Sequence, residues 1–353
     1  MDLLTAVAAS LLPASRGRVA AAFASLRGDA LPSGAAFLDI LWAASGKLEP
    51  LPPSSLDRLM TEAAEAVERG SRSGIEAVPL GSPEYPALLA CTPDPPPVLW
   101  LRGSRAVWSG PVVAVVGSRA ATPYALQVAA RLGAELAARG VVVASGLARG
   151  VDSAAHRGCL SAGGRTVAIL GSGVDRVYPS EHRDLASEIA ASGAVASELA
   201  PGAAPLPEHF PLRNRIISGI SLATVVVEAS EHSGSLITAR CALDQGREVM
   251  AVPGSVLSGR NRGSHALLKD GARVVEGADD ILQELGFSTA GWAAAEPPRG
   301  SEPLLVHMEP GESYDLDELA EATAMSGPCL LTRLTELELG GLITISNGRY
   351  MRR

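Results

Sequence analysis

Residues 225–243 combine a buried strand with a polar loop whose residue types suit an anion. The stretch VVVEASEHSGSLITARCAL begins with three valines, passes through small polar residues and becomes helical at about Ser235. Ser233 and Gly234 precede this helix, and Thr238 lies one turn inside it. Free backbone N–H groups and the positive end of the helix dipole favour a phosphate at such a position. With the neighbouring hydroxyls, the pattern predicts an uncharged anion-binding site.

A second polar loop follows the first valine-rich run, in the sequence VVGSRAATPYA. Gly117 allows a close turn, Ser118 supplies a hydroxyl and Arg119 supplies a cation at the end of the predicted strand. Arginine suits phosphate because its planar guanidinium offers paired N–H donors. The loop is not a dinucleotide-binding turn, since Arg119 and Thr122 stand where the G-x-G-x-x-G pattern needs glycine. Arg119 is interpreted either as a phosphate ligand or as a solvated side chain.

The sequence HFPLRNRII places Arg213 and Arg215 on either side of Asn214, at the expected start of a helix. Two arginines so close repel each other unless water or an anion screens them. Because they precede the strand VVVEA, they are expected to face the same sheet edge as the GSR loop. The alternative is that one arginine pairs with Glu228 or Glu198 and the other is solvated.

The overall charge of the chain does not indicate a nucleic-acid-binding protein, but its local charge does. The net charge is −8 and the isoelectric point is about 5.4, so a polyanion has to be bound by a local patch. Lys and Arg outnumber Asp and Glu between residues 205 and 275, where Arg260, Arg262 and Lys269 occupy a glycine-rich segment. Aromatic residues make up only 4%, so contacts to phosphates are expected to outweigh base stacking.

The chain lacks the sequence patterns of several enzyme classes. It contains no H-E-x-x-H zinc motif, no G-x-S-x-G nucleophile turn and no G-x-x-x-x-G-K-[ST] phosphate loop. Its four cysteines form no C-x-x-C pair, and His156 is expected to be packed in an alanine-rich helix. The sequence therefore predicts no catalytic residue, no metal site and no cofactor.

Seven short apolar runs have to position these loops. They alternate with amphipathic helical stretches, and their sequences are VVAVVG, VVVAS, TVAIL, AVASE, ATVVVEA, EVMAVPG and ARVVE. Strands that are apolar on both faces and alternate with helices are typical of a parallel sheet covered on both sides. The predicted fold is α/β, with a doubly wound and mostly parallel sheet. In such sheets, ligands bind at the carboxyl ends of the strands.

Composition indicates further segments. Residues 1–80 are predicted to form a small helical domain, and residues 81–287 contain the sheet. The proline cluster at 93–103 is interpreted as a stiff, extended connector. A linker is predicted at 288–303. The unit at 304–353 is predicted to have two helices and a β-hairpin, which is typical of a winged helix.

The motifs together resemble the DNA-processing protein A (DprA/Smf) family. GSRAAT, SGLARGVDSAAH, ILGSGVDRVYP, HFPLRNRIISG, VVVEASEHSGSLITA and GSHALLKDGA occur in this order across residues 112–285. YPALLACTPDPPPVLWLRG resembles the lead-in to the family's extended Rossmann-like domain. The N-terminal segment resembles the family's helical domain of the sterile-alpha-motif or helix-hairpin-helix type. His265 is a departure, because the family commonly has asparagine there.

The resemblance implies a dimeric single-stranded DNA-binding protein that is not an enzyme. It implies protection of incoming DNA in natural transformation, and loading of the RecA recombinase in the presence of single-strand binding protein. No apolar stretch is long enough to span a membrane, so a cytoplasmic location is expected. The DNA-binding residues carried over are Gly117, Ser118, Arg119, Thr122, Arg213, Asn214, Arg215, Ser233, Gly234, Ser235, Thr238 and Lys269.

Two enzyme classes are the alternatives to DNA binding. A nucleotide-phosphate hydrolase of the lysine-decarboxylase-like fold shares the glycine loops. It is expected to carry a P-G-G-x-G-T motif, which the helix starts HSGSLIT and VPGSVLS lack. A dinucleotide-dependent oxidoreductase needs the glycine pattern that is missing after the first strand.

Overall fold

A computed structural model describes residues 2–12, 34–44, 51–287, 303–309, 312–323, 325–339, 342–346 and 348–352. The chain divides into two compact units, Met1–Gly291 and Trp292–Arg353. Residues 288–302 of the predicted linker lie outside the described residues. No helix in the described part of the chain is both long and apolar enough to cross a membrane.

The first unit alternates helices and strands along most of its length. Its described helices are α1 (Leu3–Leu11), α2 (Ala35–Ala44), α3 (Pro53–Arg72), α4 (Ala87–Ala90), α5 (Pro123–Ala138), α6 (Val151–Ser161), α7 (Arg183–Ser192), α8 (His209–Gly219), α9 (Ser235–Asp244), α10 (Arg262–Lys269) and α11 (Ala278–Glu284). Its described strands are β1 (Glu76–Pro79), β2 (Val98–Gly103), β3 (Val112–Val116), β4 (Val142–Ser145), β5 (Thr166–Ile169), β6 (Ala194–Ser197), β7 (Ala223–Val226), β8 (Glu248–Ala251) and β9 (Arg273–Val274).

These strands form one sheet in the order β1-β2-β6-β5-β4-β3-β7-β8-β9. Strands β3 to β9 pair with one another in parallel. Strands β1 and β2 are antiparallel to their neighbours. All seven strands that the sequence predicts are present, and the prediction of a mostly parallel α/β sheet is confirmed.

The interpretation of 93–103 as an extended connector is wrong for its second half. Residues Val98–Gly103 form β2, whose Trp100 pairs with Ser197 of β6. Trp100 and its neighbours Leu99 and Leu101 are buried. The preceding prolines hid the strand, because proline cannot donate a ladder hydrogen bond and is read as a break.

The core lies on both faces of the sheet. In β3, Val113 and Val115 pack into one cluster with side chains of α5, α6 and α11. Val112, Ala114 and Val116 pack into a second cluster on the other face. Successive strand residues point to opposite faces, so this alternation shows that helices cover both sides. The second cluster also contains buried residues of α1 and α2, so the N-terminal helices share the core of the sheet.

The order of the strands creates a crevice. The parallel part of the sheet begins in its middle with β3, continues outward through β4 to β6, and then returns to place β7 on the other side of β3. Connections that leave neighbouring strands toward opposite faces open a gap at the carboxyl ends of those strands. A binding site is therefore expected where β3 and β7 end.

The second unit has its own small core. It contains a 3-10 helix (Pro303–His307), β10 (Ser313–Tyr314), α12 (Leu316–Thr323), α13 (Gly327–Leu339), β11 (Ile343–Ser346) and β12 (Arg349–Arg352). The strands form a sheet in the order β10-β12-β11. Two helices followed by a hairpin agree with the element order expected from the sequence, and the winged-helix assignment stays a prediction. Asn347, in the hairpin turn, lies outside the described residues.

Candidate functional site

A cleft of about 390 Å³ opens at the carboxyl ends of β3 and β7. Most of the residues predicted to bind DNA line it. They are Gly117, Ser118, Arg119, Arg213, Asn214, Ser233, Gly234, Ser235 and Thr238. The crevice expected from the strand order is therefore where these side chains meet, and we call it the first cleft.

The backbone of the Gly117–Arg119 loop is fixed from two sides. Ser118 N donates to Glu228 O at 2.7 Å, and Ser118 O accepts from Val151 N at 3.2 Å. A Cβ on Gly117 would lie 2.6 Å from Val151 Cγ2, so glycine is needed for this close approach. The loop therefore presents Arg119 from a rigid base.

Arg119 is exposed at the rim of the first cleft. Its guanidinium carbon lies 5.6 Å from the centre of the Phe210 ring, which is a cation–π distance. Within the described residues, no carboxylate lies at ion-pair distance from Arg119. Its positive charge is therefore available to a phosphate.

Arg213 lies beneath the cleft and is almost fully buried. Its Nη1 donates to the carbonyl of Gly146 at 2.8 Å and also to the carbonyl of Ile169. Burial lowers the pKa of Arg213 to about 10, although the nearby Asp152 carboxylate acts in the opposite direction. The guanidinium therefore holds the loop after β4 in place and contributes positive potential from below.

Asp152 supports the same loop from the start of α6. Its Oδ2 accepts from the backbone N–H of Gly146 at 3.0 Å and of Ala148 at 3.4 Å. Burial raises its pKa, and the Arg213 charge and the backbone N–H groups oppose that shift. The sequence alone did not indicate this role, because the loop that Asp152 binds precedes the helix on which it lies.

Arg215 does not share the edge with Arg119. Its Nε lies 2.8 Å from Asp94 Oδ2, and its Nη2 donates to Glu198 Oε2 at 2.8 Å. Its side chain is only 11% exposed. The predicted alternative of a pair with Glu198 is therefore present, but the partner arginine is buried, not solvated. The expectation that both arginines face one edge is wrong for Arg215.

The loop after β7 forms the opposite wall of the first cleft. Helix α9 begins at Ser235 with Gly234 as its N-cap residue, so no side chain caps it. The hydroxyls of Ser233 and Ser235 hydrogen-bond each other at 2.7 Å. Asn214 Nδ2 donates to Gly234 O at 3.3 Å and joins α8 to this wall. The helix start therefore faces the cleft with its hydroxyls, while the N–H groups of Leu236 and Ile237 already donate to Ser233 O at 3.1 Å and Gly234 O at 3.2 Å. An anion bound there stays a prediction.

Thr122 and Lys269, also predicted to bind DNA, lie elsewhere. Thr122 is the N-cap of α5, and its hydroxyl donates to Glu228 Oε2 at 2.6 Å. Lys269 is the last residue of α10. That helix begins beside the end of β7, where Gly263 N donates to Ala229 O. Eight residues of helix span about 12 Å, so Lys269 lies toward the opposite edge of the sheet.

Two aromatic residues at the rim were missed by the sequence analysis. The ring centres of Tyr178 and Phe210 lie 5.4 Å apart, with an angle of 49° between the ring planes, and the Arg119 guanidinium also lies over the Phe210 ring. A low overall aromatic content does not show where the few aromatic residues lie, although both belong to motifs of the resemblance, VYP and HFP. They offer ring faces beside the cleft, which suit stacking with a base.

His265, the departure from the usual asparagine, has a local structural contact. Its Nε2 lies 3.0 Å from the carbonyl oxygen of Gly254. Since a carbonyl only accepts, the imidazole donates from Nε2. His265 therefore steadies the loop after β8.

A family comparison covers all the strands of this sheet. Residues 76–286 match the model of the family described as DNA recombination-mediator protein A. The chain belongs to this family. Protein Smf of Escherichia coli (strain K12) is 39% identical over 287 residues, which are 78% of this chain and 76% of that protein. DNA processing protein DprA of Bacillus subtilis (strain 168) is 42% identical over 213 residues, which are 60% and 72% of the two chains.

Solved structures of DNA processing protein A are similar in fold. The protein from Streptococcus pneumoniae has a TM-score of 0.67 and 32% identity, over 79% of this chain and 95% of that one. The protein from Helicobacter pylori, whose structure concerns single-stranded DNA binding, has a TM-score of 0.54 and 28% identity, over 59% and 95%. The resemblance to the DNA-processing protein A family is confirmed, and the nucleotide-phosphate hydrolase is not favoured.

Proposed function

We propose that this protein binds single-stranded DNA in the first cleft. The observation that carries the proposal is Arg119, an exposed arginine with no acidic partner in the described residues, in a cleft that is also lined by the hydroxyl-bearing residues Ser233 and Ser235. These groups suit the phosphates of a polynucleotide. The Helicobacter pylori structure, which concerns single-stranded DNA binding, supports the same ligand class.

The arrangement favours DNA of any sequence. Arg119 and the Ser233–Ser235 helix start address phosphates, which carry no sequence information. Phe210 and Tyr178 offer ring faces, and every base can stack on such a face. Unpaired strands are the expected ligand, because stacking on these rings needs bases that are free of a duplex.

The wider role follows the family. We infer that the protein acts as a homodimer in the cytoplasm, protects DNA that enters during natural transformation and loads RecA recombinase onto it. Single-strand binding protein is the expected third component. The family description, DNA recombination-mediator protein A, supports this role.

Charge reversal at Arg119 tests the binding proposal. Arg119→Glu replaces a phosphate ligand with a repelling carboxylate, so we expect affinity for oligothymidylate to fall by about 30- to 150-fold, which corresponds to about 2–3 kcal/mol. Fluorescence anisotropy with a labelled oligonucleotide measures the affinity. The fold is expected to be unchanged by circular dichroism, because Arg119 is exposed.

Arg157→Glu is the matched control. Arg157 is an exposed arginine in α6, two turns from the end that faces the cleft. The control makes the same change in net charge, so it is expected to keep nearly full affinity. Equal affinities of the two variants would contradict the proposed site. For the RecA step, only the control is expected to restore RecA assembly on DNA covered by single-strand binding protein.

A further inference from the structure

A second open cleft, of about 400 Å³, lies next to the first. Its lining includes Ser230, His232, Leu257 and Arg262. Ser230 also lines the first cleft, so the loop after β7 forms a wall common to both. The two clefts are therefore continuous at Ser230, and a long ligand in the first cleft can extend directly into the second.

The loop after β8 forms the far side of the second cleft, and its base is fixed. Arg260 Nη1 donates to Ala120 O at 2.7 Å, which ties this loop to the one that carries Arg119. His265 Nε2 donates to Gly254 O at 3.0 Å at the other end of the loop. These hydrogen bonds hold the loop of the second cleft in a fixed position beside the loop that carries Arg119.

The tip of this loop exposes two adjacent apolar side chains. Val256 is 79% exposed and Leu257 is 93% exposed. Single exposed apolar residues are common, but two neighbours at the mouth of a cleft lose contact with water when a ligand covers them. They suit the faces of sugars and bases, which present apolar surface beside the phosphates.

Cations mark the route between the clefts. Arg119 lies at the rim of the first cleft, Arg260 is bonded to the neighbouring loop, and Arg262 lines the second cleft. Arg262 lies 3.7 Å from Glu231, and both side chains are more than half exposed. An exposed ion pair of this kind contributes little free energy in water, so a phosphate can replace the Glu231 carboxylate beside Arg262.

We propose that the second cleft is a binding subsite for the continuing single strand. Arg260 and Arg262 bind phosphates that follow the one at Arg119, while Val256 and Leu257 cover the sugar and base of the same nucleotides. This inference rests on the proposed function of the first cleft. Neighbouring strands lie about 5 Å apart, and the route runs from the end of β3, past β7, to β8. The extension therefore adds about 10 Å to the path of the strand.

Oligothymidylates of two lengths test this subsite. One of about two nucleotides fills the first cleft alone, because the second cleft lies about 10 Å further along the strand, and one of about eight reaches both. In the double variant Val256→Ser, Leu257→Ser, and separately in Arg262→Ala, we expect affinity for the long oligonucleotide to fall about five- to tenfold. Affinity for the short one is expected to stay within about twofold. Leu243→Ser is the control, because Leu243 is exposed at the far end of α9.

The outcomes separate the two proposals. Loop variants that leave both lengths unchanged, while Arg119→Glu weakens both, overturn the second subsite and keep the first cleft. Loop variants that weaken both lengths equally also overturn it, since the loop would then act only through the first cleft. If the wild-type protein binds neither length, the proposed function itself fails.

Discussion

At the scale of single residues, Arg213 and Arg215 show how neighbours in sequence take different roles. Arg213 is buried under the first cleft, whereas Arg215 pairs with Asp94 and Glu198. Residues two apart in a helix point about 200° away from each other. The sequence placed both at the start of a helix, but α8 already begins at His209. Residue type and spacing identified the two arginines in the sequence. Which of them faces the first cleft depends on the rotation of α8 about its axis, which only the structure shows.

His156 is a buried histidine whose proton position follows from its partners. Its Nδ1 lies 2.7 Å from Thr166 Oγ1, and that hydroxyl donates to Val143 O at 2.6 Å. Because the threonine hydroxyl proton is used in that bond, the imidazole Nδ1 carries a proton and donates it to Thr166 Oγ1. Burial, with the nearby charges of His182 and Arg213, lowers the pKa of His156 to about 3. The packed position expected from the sequence agrees with these contacts.

This lowered pKa predicts a pH-dependent stability. In the unfolded chain His156 takes up a proton below pH 6.5, whereas in the folded protein it stays neutral down to about pH 3. The contribution of His156 to the free energy of unfolding is therefore fully present above pH 6.5 and is lost as the pH falls. We expect wild-type unfolding free energy to fall by up to about 1.4 kcal/mol per pH unit relative to His156→Gln. Urea unfolding of both proteins at about pH 7 and about pH 5 measures the difference. Parallel pH profiles would show that His156 makes no such contribution.

At the scale of elements, loops at strand ends carry the site, and their glycines decide the geometry. Gly150 has φ +77°, and a Cβ there would overlap Ser118 O and the carbonyl of Arg119. The loop after β4 therefore presses against the loop that presents Arg119. Spacing in the sequence identified both loops, because each follows a run of buried residues. The sequence spacing did not show that the two loops contact each other, because this contact depends on the distance between the ends of β3 and β4 in the folded sheet.

Two glycine substitutions separate this contact from backbone strain. Gly150→Ala and Gly140→Ala both place a side chain at positive φ, which costs about 1 kcal/mol each. Only at Gly150 does the new methyl meet other atoms, since nothing lies within 4 Å of a Cβ at Gly140. We expect both to lower the stability, measured by chemical denaturation.

The DNA affinity of these two variants is expected to differ. Gly150→Ala displaces the loop of Arg119, so its affinity for oligothymidylate is expected to fall about tenfold or more. Gly140→Ala leaves that loop in place and keeps wild-type affinity. A loss of binding in both would point to a general effect on folding instead of the loop contact.

At the scale of the whole molecule, the proposed DNA binding has to come from a few cations, because the net charge of the protein is −8. Arg119, Arg260 and Arg262 are the exposed arginines along the two clefts. Three phosphate contacts to a single strand give a slope of roughly −2 for the logarithm of affinity against the logarithm of salt concentration. Anisotropy titrations at several salt concentrations measure this slope. We expect it to become shallower by about 0.7 in Arg119→Ala, and an unchanged slope would contradict a phosphate contact there.

Much of the fold was predictable because the central parallel strands, β3 to β7, are buried on both faces. Such strands appear in the sequence as uninterrupted apolar runs, and every predicted run forms a strand, β3 to β9. The antiparallel strands β1 and β2 were missed, because Pro79 ends one and Pro97 precedes the other. The ring pair of Tyr178 and Phe210 was also missed, since it joins loops about 30 residues apart that meet only in the folded chain.

The buried guanidinium of Arg213 has a consequence for how quickly the protein captures its ligand. Two carbonyl oxygens already hold it, that of Gly146 directly after β4 and that of Ile169 at the end of β5. The floor of the first cleft is therefore formed without a ligand. Little ordering entropy is then lost on binding. Association is therefore expected to proceed at a rate set by diffusion and orientation, without a slow conformational step.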